Sequence, residues 1–364
     1  MNALVTGANG LIGSNLVRRL LRRGDAVRAL VRPTSDVGTL EGLDVNLIRA
    51  EVTQDLPSLT SAAEGVDTIF HTAVRFAYRG PGTDELEQTA LSGTQRVLEA
   101  AHHARARRVV VTSSSVVFGY STARTIHDEE SGIAGTDDEA AYVAAKIRQD
   151  RNALDMAERL GVEIVLVCPT MSVGPHGSRL VPSNGIVVSY LNDAFRCTYP
   201  GGCNIVSVID VADGHLQAAE FGEQGAHYIL GSENLEWHEI HTMIADLCGV
   251  SPPQARLNRT LSYLASATEE LRAGLANRQP TTSRDQASMV GRFYWYSHEK
   301  ASRLGYAPRP ARSALAEAVS DLAMGPHVTR QVRSTLRLHP DVYRARRRQA
   351  ESESALVTVD RGAS

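Results

Sequence analysis

A tyrosine and a lysine four residues apart, Tyr142 and Lys146, are the first candidates for chemistry in this chain. Their spacing within a helical pattern predicts that both side chains lie on one helix face, one turn apart. A free phenol has a pKa of about 10 and is a poor base at neutral pH. A neighbouring ammonium stabilises the phenolate and makes proton transfer practicable. Such pairs also arise by chance, so this one needs support from other residues.

Four hydroxyl side chains, at Thr112, Ser113, Ser114 and Ser115, follow a predicted strand directly. The carboxyl end of a parallel strand faces the ligand crevice of an open α/β sheet. A hydroxyl group there can donate a hydrogen bond to a substrate oxygen. The other interpretation of the run is an ordinary turn capped by Ser and Thr.

The glycine-rich run Gly7-Ala8-Asn9-Gly10-Leu11-Ile12-Gly13 follows the first predicted strand and opens the first predicted helix. The first glycine permits a tight turn, the second lets the backbone approach a pyrophosphate, and the third lets helix and strand pack closely. The free N–H groups at the helix N-terminus favour phosphate. Because strand, glycines and helix occur in the required order, the run predicts a dinucleotide site.

The end of the second predicted strand indicates which dinucleotide binds. Sites for NAD usually carry Asp or Glu there to hold the ribose 2′-hydroxyl, whereas this chain has Val31 followed by Arg32. A guanidinium can pair bidentately with a 2′-phosphate. We therefore expect NADP(H), with NAD(H) as the alternative if Arg32 only stacks on the adenine.

Short apolar runs alternate with helical patterns through the first half of the chain. The predicted strands are 3–6, 26–31, 45–48, 68–71, 109–112 and 162–168, and the predicted helices are 11–23, 55–64, 84–104 and 138–160. This alternation indicates an α/β fold, a Rossmann doubly wound parallel sheet with a smaller, mostly helical C-terminal substrate lobe.

The same patterns divide the chain into parts. We assign residues 1–173 to the dinucleotide-binding domain, with 205–232 returning to it, and 174–204 with 233–328 to the substrate lobe. Residues 329–364 form a polar, arginine-rich tail, expected to be a solvated helix with a frayed end.

Composition excludes several classes of partner. The chain has 364 residues and a formal net charge of −3, which gives no electrostatic case for nucleic acid or an acidic membrane. No stretch approaches the ~18 uncharged apolar residues of a membrane helix. Four cysteines without zinc-type spacing indicate reduced thiols, no metal site and a cytoplasmic protein.

Taken together, these motifs resemble the extended short-chain dehydrogenase/reductases, also called the NAD-dependent epimerase/dehydratase family. The resemblance covers residues 1 to about 325 and includes further runs at 67–73, 113–119, 169–175, 208–215 and 228–234. Within the family the chain looks most like the dihydroflavonol-reductase-like branch, close to proteins described as hopanoid-associated sugar epimerases.

The resemblance implies roles for the residues that match its motifs. Tyr142 would be the general acid/base, Lys146 its pKa partner and a ribose ligand, and Ser114 the hydroxyl that polarises the substrate, with Ser113 and Ser115 as alternatives. The remaining cofactor contacts would be Glu51, Val52, His71, Thr72, Ala73, Thr112, Pro169 and Thr170. The substrate contacts would be Arg75, Phe76, Tyr78, Val116, Phe118, Met171 and Ser172.

Three hypotheses about function follow. The first is NADPH-dependent reduction of a small-molecule ketone to a secondary alcohol, or the reverse reaction. The second is a nucleotide-sugar epimerase or dehydratase with retained NAD. The family's nucleotide-binding Arg-Asp-aromatic stretch is replaced here by Cys203-Asn204-Ile205-Val206-Ser207, which disfavours it. The third is a non-catalytic dinucleotide sensor. The family resemblance also implies a homodimer.

Overall fold

The computed structural model describes residues 1–73, 83–134, 141–258, 260–262, 267–268 and 290–357. Three predicted substrate contacts, Arg75, Phe76 and Tyr78, lie outside the described residues, as does most of a helical segment predicted near 258–275.

Strands and helices alternate through the first half of the chain. They are β1 (Asn2–Thr6), α1 (Leu11–Arg22), β2 (Ala26–Val31), β3 (Asn46–Arg49), α2 (Leu56–Ala63), β4 (Thr68–His71), α3 (Thr83–Ala104), β5 (Arg108–Thr112), α4 (Ala141–Leu160) and β6 (Ile164–Pro169). Each predicted strand and helix of this half is present, within three residues of its predicted ends.

The second half is more varied. It contains β7 (Met171–Val173), α5 (Pro182–Asn192), β8 (Cys197–Thr198), β9 (Gly202–Ser207), α6 (Val208–Phe221), β10 (His227–Leu230), β11 (Glu233–Glu236), α7 (Trp237–Cys248), β12 (Ala255–Arg256) and β13 (Phe293–Tyr294). Four described helices follow, at Glu299–Ser302, Ala311–Leu322, Arg330–Arg333 and Pro340–Val357.

The central sheet has seven parallel strands in the order β10-β6-β5-β4-β1-β2-β3. The chain moves from β1 outward to β3 on one side and then crosses to β4 on the other, so the strand order reverses between β1 and β4. Helices α1 and α6 pack together, and α2, α3 and α4 form a second group of packed helices. This is the Rossmann-type α/β fold expected from the sequence.

The interiors of β5 and β6 are apolar because both faces of these strands are covered. Val109, Val110 and Val111 of β5 have no exposed surface, and neither do the residues from Ile164 to Cys168 of β6. A strand buried on both faces leaves polar groups only at its ends. The side chains that could do chemistry therefore collect where β4, β5 and β6 end.

A second, smaller sheet lies beyond the end of β6. Strand β9 is at its centre and pairs with β7, β11 and β13. The sequence predicts a strand at 205–209 leading into a helix from Asp210. The structure ends the strand at Ser207, because the Ser207 side chain accepts a hydrogen bond from Ile209 N and caps α6. Strand β10 then returns to the central sheet beside β6.

The C-terminal helix (Pro340–Val357) differs from the solvated tail that its arginines suggest. Val342 and Ala345 are buried, and Arg312 of the Ala311–Leu322 helix donates to Asp341 Oδ2 at 2.9 Å. Further along, Glu353 Oε1 accepts a 2.6 Å hydrogen bond from the buried Arg18 of α1. The arginines of this helix face outward, while its apolar stripe packs against the rest of the protein. Composition alone therefore wrongly predicts a solvated helix.

Candidate active site

The crevice for a ligand lies where the strand order reverses, outside the carboxyl ends of β1 and β4. Helix α1 starts there with Gly10 as its N-cap, without a capping side chain and without an acidic residue in its first turn. The N–H groups of Leu11, Ile12 and Gly13 are therefore not bonded within the helix. A helix start of this kind provides backbone donors and a partial positive charge to an anion.

Glycine is required at two positions of this loop because of close backbone contacts. Gly7 has φ +69°, and a Cβ there would lie 2.7 Å from Ala73 Cα. At Gly13 a Cβ would lie 2.3 Å from Gly7 O and 2.9 Å from Thr72 Oγ1. The loop after β1, the start of α1 and the segment after β4 thus touch directly. The structure brings these predicted cofactor residues together.

The predicted adenosine end lies beside the end of β2. Val31 is buried, and the following Arg32 side chain is exposed. Asn9 Nδ2 donates to Asp36 O at 2.8 Å and ties the glycine loop to the segment after Arg32. Arg49 at the end of β3 donates to Pro33 O at 2.8 Å, a support for this segment that the sequence analysis missed.

The other predicted residues at this end sit on β3's continuation. Glu51 is half-buried and Val52 is buried. Arg28 lies within β2, four residues before Arg32. Its guanidinium donates hydrogen bonds to Ala62 O and Glu64 O, both at 2.7 Å, and so points away from the crevice. Arg32, directly after the end of β2, is therefore the better candidate of the two arginines for a contact with the ribose.

Ser114 and Tyr142 are hydrogen-bonded to each other through their side chains. Of the three neighbouring serines, Ser113 and Ser115 are buried, whereas Ser114 is half-exposed. Burial raises the pKa of Tyr142 to about 12, and the hydrogen bond from Ser114 acts in the opposite direction. The phenol is therefore protonated at neutral pH and can act as an acid toward an oxygen placed between the two hydroxyls.

Lys146 lies one turn along α4 and is 3% exposed. Its ammonium donates to Thr112 O and to Gln149 Oε1, both at 3.0 Å. Gln149 Nε2 in turn donates to Thr94 Oγ1 at 2.9 Å. Burial lowers the pKa of Lys146 to about 8, so the cation is retained at pH 7.

The polar network continues beneath the crevice. His71 lies between Thr94 Oγ1 at 3.2 Å and Thr6 Oγ1 at 2.8 Å. Burial and the nearby Lys146 charge lower the pKa of His71 to about 3, so the imidazole is neutral. Thr112 shows the same inward orientation, because its Oγ1 bonds to His215 Nε2 at 2.9 Å. In this structure both predicted cofactor side chains support the strand ends, while their backbone lies at the crevice edge.

Sequence reasoning missed Thr94, Gln149 and Asp150, which are all buried polar residues. Gln149 and Asp150 follow Lys146 by three and four residues, so they share its helix face. Two polar residues on the buried face of a helix are unusual and could have been noticed. Thr94 carries no such signal because its partners come from distant parts of the chain.

The predicted nicotinamide and substrate end lies around β6 and β7. Pro169 and Thr170 are buried, and Thr170 Oγ1 donates to Asn204 Oδ1 at 2.8 Å. Ser172 is buried as well, with its Oγ donating to Thr170 O at 3.1 Å. The Thr170 and Ser172 side chains are therefore used in hydrogen bonds within the protein.

The remaining described substrate candidates differ in exposure. Val116 and Met171 are half-exposed and can contact a ligand. Phe118 is 3% exposed, and its ring meets the His227 ring edge-on with centroids 5.8 Å apart. Phe118 thus packs behind the site and leaves little surface for a substrate.

The described part of the chain lacks two further kinds of feature. Within it, no cluster of His, Cys, Asp and Glu side chains could hold a metal ion. Among its helices, none combines the length and the apolar character that a membrane span requires.

The chain is similar to two named reductases and to a sterol demethylase protein. It is 29% identical over 320 residues to the Synechocystis sp. protein named "Putative dihydroflavonol 4-reductase", an alignment covering 86% of this chain and 92% of that protein. It is 29% identical to Sterol demethylase protein B of Methylococcus capsulatus, covering 88% and 98% of the two chains. Identity to Cinnamoyl-CoA reductase 2 of Medicago truncatula is 28%, covering 89% and 92%.

Solved structures and a family model agree with this similarity. The crystal structure of gox2253 superimposes with a TM-score of 0.78 at 29% identity, covering 90% of this chain and 99% of that chain. The model of the NAD dependent epimerase/dehydratase family matches residues 3–231, which span the glycine loop, Ser114, Tyr142 and Lys146. The chain therefore belongs to the NAD dependent epimerase/dehydratase family, the extended branch of the short-chain dehydrogenase/reductases.

Proposed function

We propose that this protein reduces the carbonyl group of a small molecule to a secondary alcohol with NADPH, or catalyses the reverse oxidation. The observation that carries the proposal is the Ser114–Tyr142 hydrogen bond, with Lys146 one helical turn away at the edge of the crevice. A protonated phenol, a second hydroxyl and a buried cation are the groups that carbonyl reduction needs from a protein.

The dinucleotide fits the residues present. The contacts at Gly7 and Gly13 leave no room for a Cβ, and this tight loop is what presents the first-turn N–H groups of α1 to a pyrophosphate. When bound, the nicotinamide supplies the hydride and its electron pair to the carbonyl carbon. Arg32 would hold the 2′-phosphate, Glu51 and Val52 would line the adenine, and 71–73 with 169–170 would line the remainder.

Residues of the chain itself would supply the proton that the carbonyl oxygen needs. Ser114 Oγ would donate a hydrogen bond to the carbonyl oxygen and hold it beside Tyr142. The Tyr142 hydroxyl would transfer its proton to that oxygen as the C–O double bond becomes single. Lys146 would then stabilise the phenolate until a proton returns from solvent.

Preference for NADP(H) over NAD(H) rests on the end of β2. Val31 is buried and occupies the position where a carboxylate would repel a 2′-phosphate, while Arg32 is exposed at the same edge. A guanidinium there favours the phosphorylated ribose.

A small carbonyl compound suits the site better than a nucleotide sugar. In the stretch where sugar-nucleotide enzymes carry Arg-Asp-aromatic, Asn204 stands at the aspartate position. It is 1% exposed and receives hydrogen bonds from Thr170 Oγ1 and Ser232 N, both at 2.8 Å. Its amide donates to Asn234 Oδ1 at 2.7 Å. A buried side chain with these partners is not available to a nucleotide. The relatives named as dihydroflavonol and cinnamoyl-CoA reductases support a reductive role.

Further expectations complete the proposal. Residues 174–204 with 233–328 would form the substrate lobe, and the packed pair α3 and α4 would form a homodimer interface. All four cysteines are free in the structure, which is consistent with a cytoplasmic protein.

The first test is to denature freshly purified protein and identify any dinucleotide released. An empty protein that binds NADPH more tightly than NADH, and then reduces a member of a ketone panel, would support the proposal. Stoichiometric NAD released from the protein would contradict it, because a retained cofactor indicates an epimerase or dehydratase cycle. Loss of ketone reduction in Tyr142→Phe with unchanged NADPH binding would separate catalysis from mere dinucleotide sensing.

A further inference from the structure

A carboxylate is buried one helical turn beyond Lys146. Asp150 has no exposed surface, and the spacing of Tyr142, Lys146 and Asp150 places all three along one face of α4. Burying a carboxylate costs several kcal/mol unless charge and hydrogen bonds compensate for lost water. The neighbours of Asp150 therefore decide what it does.

The two oxygens of Asp150 have different surroundings. Oδ2 accepts a 2.5 Å hydrogen bond from Ser113 Oγ and lies 3.3 Å from His227 Nε2. Oδ1 is buried and accepts no hydrogen bond from the residues that the structure describes. Oδ2 thus holds Ser113, the neighbour of Ser114, in place. The carboxylate charge is left for nearby residues to balance.

Four titratable groups face Asp150 or the ammonium beside it. Burial raises the pKa of Cys168 on β6 and of Tyr142 on α4, so both are neutral at pH 7. On β4, His71 has its pKa lowered to about 3 by burial and is neutral too. His227 on β10 is the other group in contact. Lys146, which is 3% exposed, is the ammonium that these four groups surround together with Asp150.

We propose that Asp150 is a positioning residue that keeps Lys146 in its ammonium form and fixes the Ser113–Ser114 turn beneath Tyr142. The role of that ammonium in proton transfer rests on the proposed function, whereas the Asp150–Lys146 coupling does not.

The direction of the coupling follows from the charges. Burial lowers the pKa of Lys146 to about 8, and the Asp150 charge opposes this decrease. Without that charge the lysine would lose its proton nearer to neutral pH. The Ser113 hydrogen bond contributes position and no charge, so the two contributions can be separated by mutation.

The lysine content of the chain makes a direct measurement practical. Lys146 and Lys300 are its two lysines, so protein labelled with ¹³C at lysine Cε gives two resonances, and Lys300→Arg assigns them. The Lys146 resonance is followed against pH in the full-length parent, in Asp150→Asn and in Ser113→Ala. We expect the Lys146 midpoint to fall by about one pH unit or more in Asp150→Asn. In Ser113→Ala it should stay close to the parent value.

An unchanged midpoint in Asp150→Asn would overturn the proposal. If Asp150→Asn does not fold, the parent decides: a Lys146 midpoint below pH 6.5 would also overturn it, and one near pH 8 that persists in Asp150→Glu would support it. The titration needs no substrate. A midpoint that falls in a protein that reduces no ketone would leave this inference standing and remove the proposed function.

Discussion

The two sides of the crevice are built in contrasting ways. On the glycine-loop side, Gly7 and Gly13 let backbone segments pack closely with no side chain between them, and the first turn of α1 has no acidic residue. On the α4 side, Lys146 and Asp150 are buried together beneath Tyr142. An anion needs only space and N–H groups, whereas proton transfer needs side chains whose charges adjust one another.

The two sides of the crevice should be sensitive to different kinds of mutation. The glycine side should fail by steric obstruction and be insensitive to pH. The α4 side should tolerate changes of shape better than changes of charge. Four mutations or conditions test that division, from the largest expected effect to the smallest.

Removing the phenol hydroxyl should have the largest effect. Tyr142→Phe retains the ring and its packing but has no proton to give, so turnover should fall by roughly 10²–10⁴-fold while NADPH affinity is unchanged. Steady-state kinetics with fluorescence titration of NADPH measure both. The control is Tyr343→Phe, at a ring that is 57% exposed, which should behave as the parent. Equal losses of turnover and NADPH affinity would contradict the separation of the two sides.

A methyl group in the glycine loop should act by obstruction. Gly13→Ala places Cβ against Gly7 O, so dinucleotide affinity should fall and the free energy of unfolding should decrease by about 1–3 kcal/mol. Gly185→Ala in α5 is the matched control, since nothing lies within 4 Å of its Cβ, and it should be neutral or stabilising by about 0.5–1 kcal/mol. Isothermal titration and urea unfolding check both. Normal affinity in Gly13→Ala would show that the loop is looser than described.

Acid should destabilise the polar network beneath the crevice, which contains buried histidines. The folded-state pKa is lowered to about 3 for His71 and about 4 for His215, mainly by burial. Below the unfolded pKa of about 6.5 the unfolded chain takes up protons that the native state does not, so stability is present above that pH and lost as pH falls.

At pH 5 each histidine should cost about 2 kcal/mol of the stability at pH 7.5, measured by urea unfolding at both values. His215→Gln should show a smaller loss than the parent, and the exposed His103→Gln should show the same loss. Identical losses in the parent and His215→Gln would contradict the assignment.

The smallest effect concerns the exposed guanidinium beside Val31. Arg32→Ala should weaken NADPH binding by about tenfold, the equivalent of one charge-assisted hydrogen bond, and leave NADH binding unchanged. The exposed Arg330→Ala on a distant helix is the control. Equal weakening of both dinucleotides would indicate that Arg32 stacks on adenine.

The sequence could predict the features that local patterns determine. The glycine loop, the six strands through β6 and the Tyr142–Lys146 pair depend on periodicity and on residues close in the chain. Even the choice of Ser114 among three serines agrees with its contact to Tyr142, although its role is still a prediction.

What the sequence could not predict depends on contacts between distant residues. In the sequence Asp150 looks like an ordinary polar residue on a helix. Only the structure shows that Ser113 and His227 lie beside it. Phe118 reads as a substrate contact until β10 brings His227 against its ring. The C-terminal helix reads as solvated until Arg18 is found beside Glu353. In each case the partner lies on another element, which periodicity does not reveal.

The pairing of Arg18 with Glu353 has a consequence for synthesis. The two residues are separated by 335 positions, so a chain growing on the ribosome exposes Arg18 long before its partner is made. Helix α1, which begins at the glycine loop, therefore gains this ion pair only after 335 further residues have been synthesised. Any tag or proteolytic cut that displaces the Glu353 helix therefore also acts on helix α1, which lies beside it.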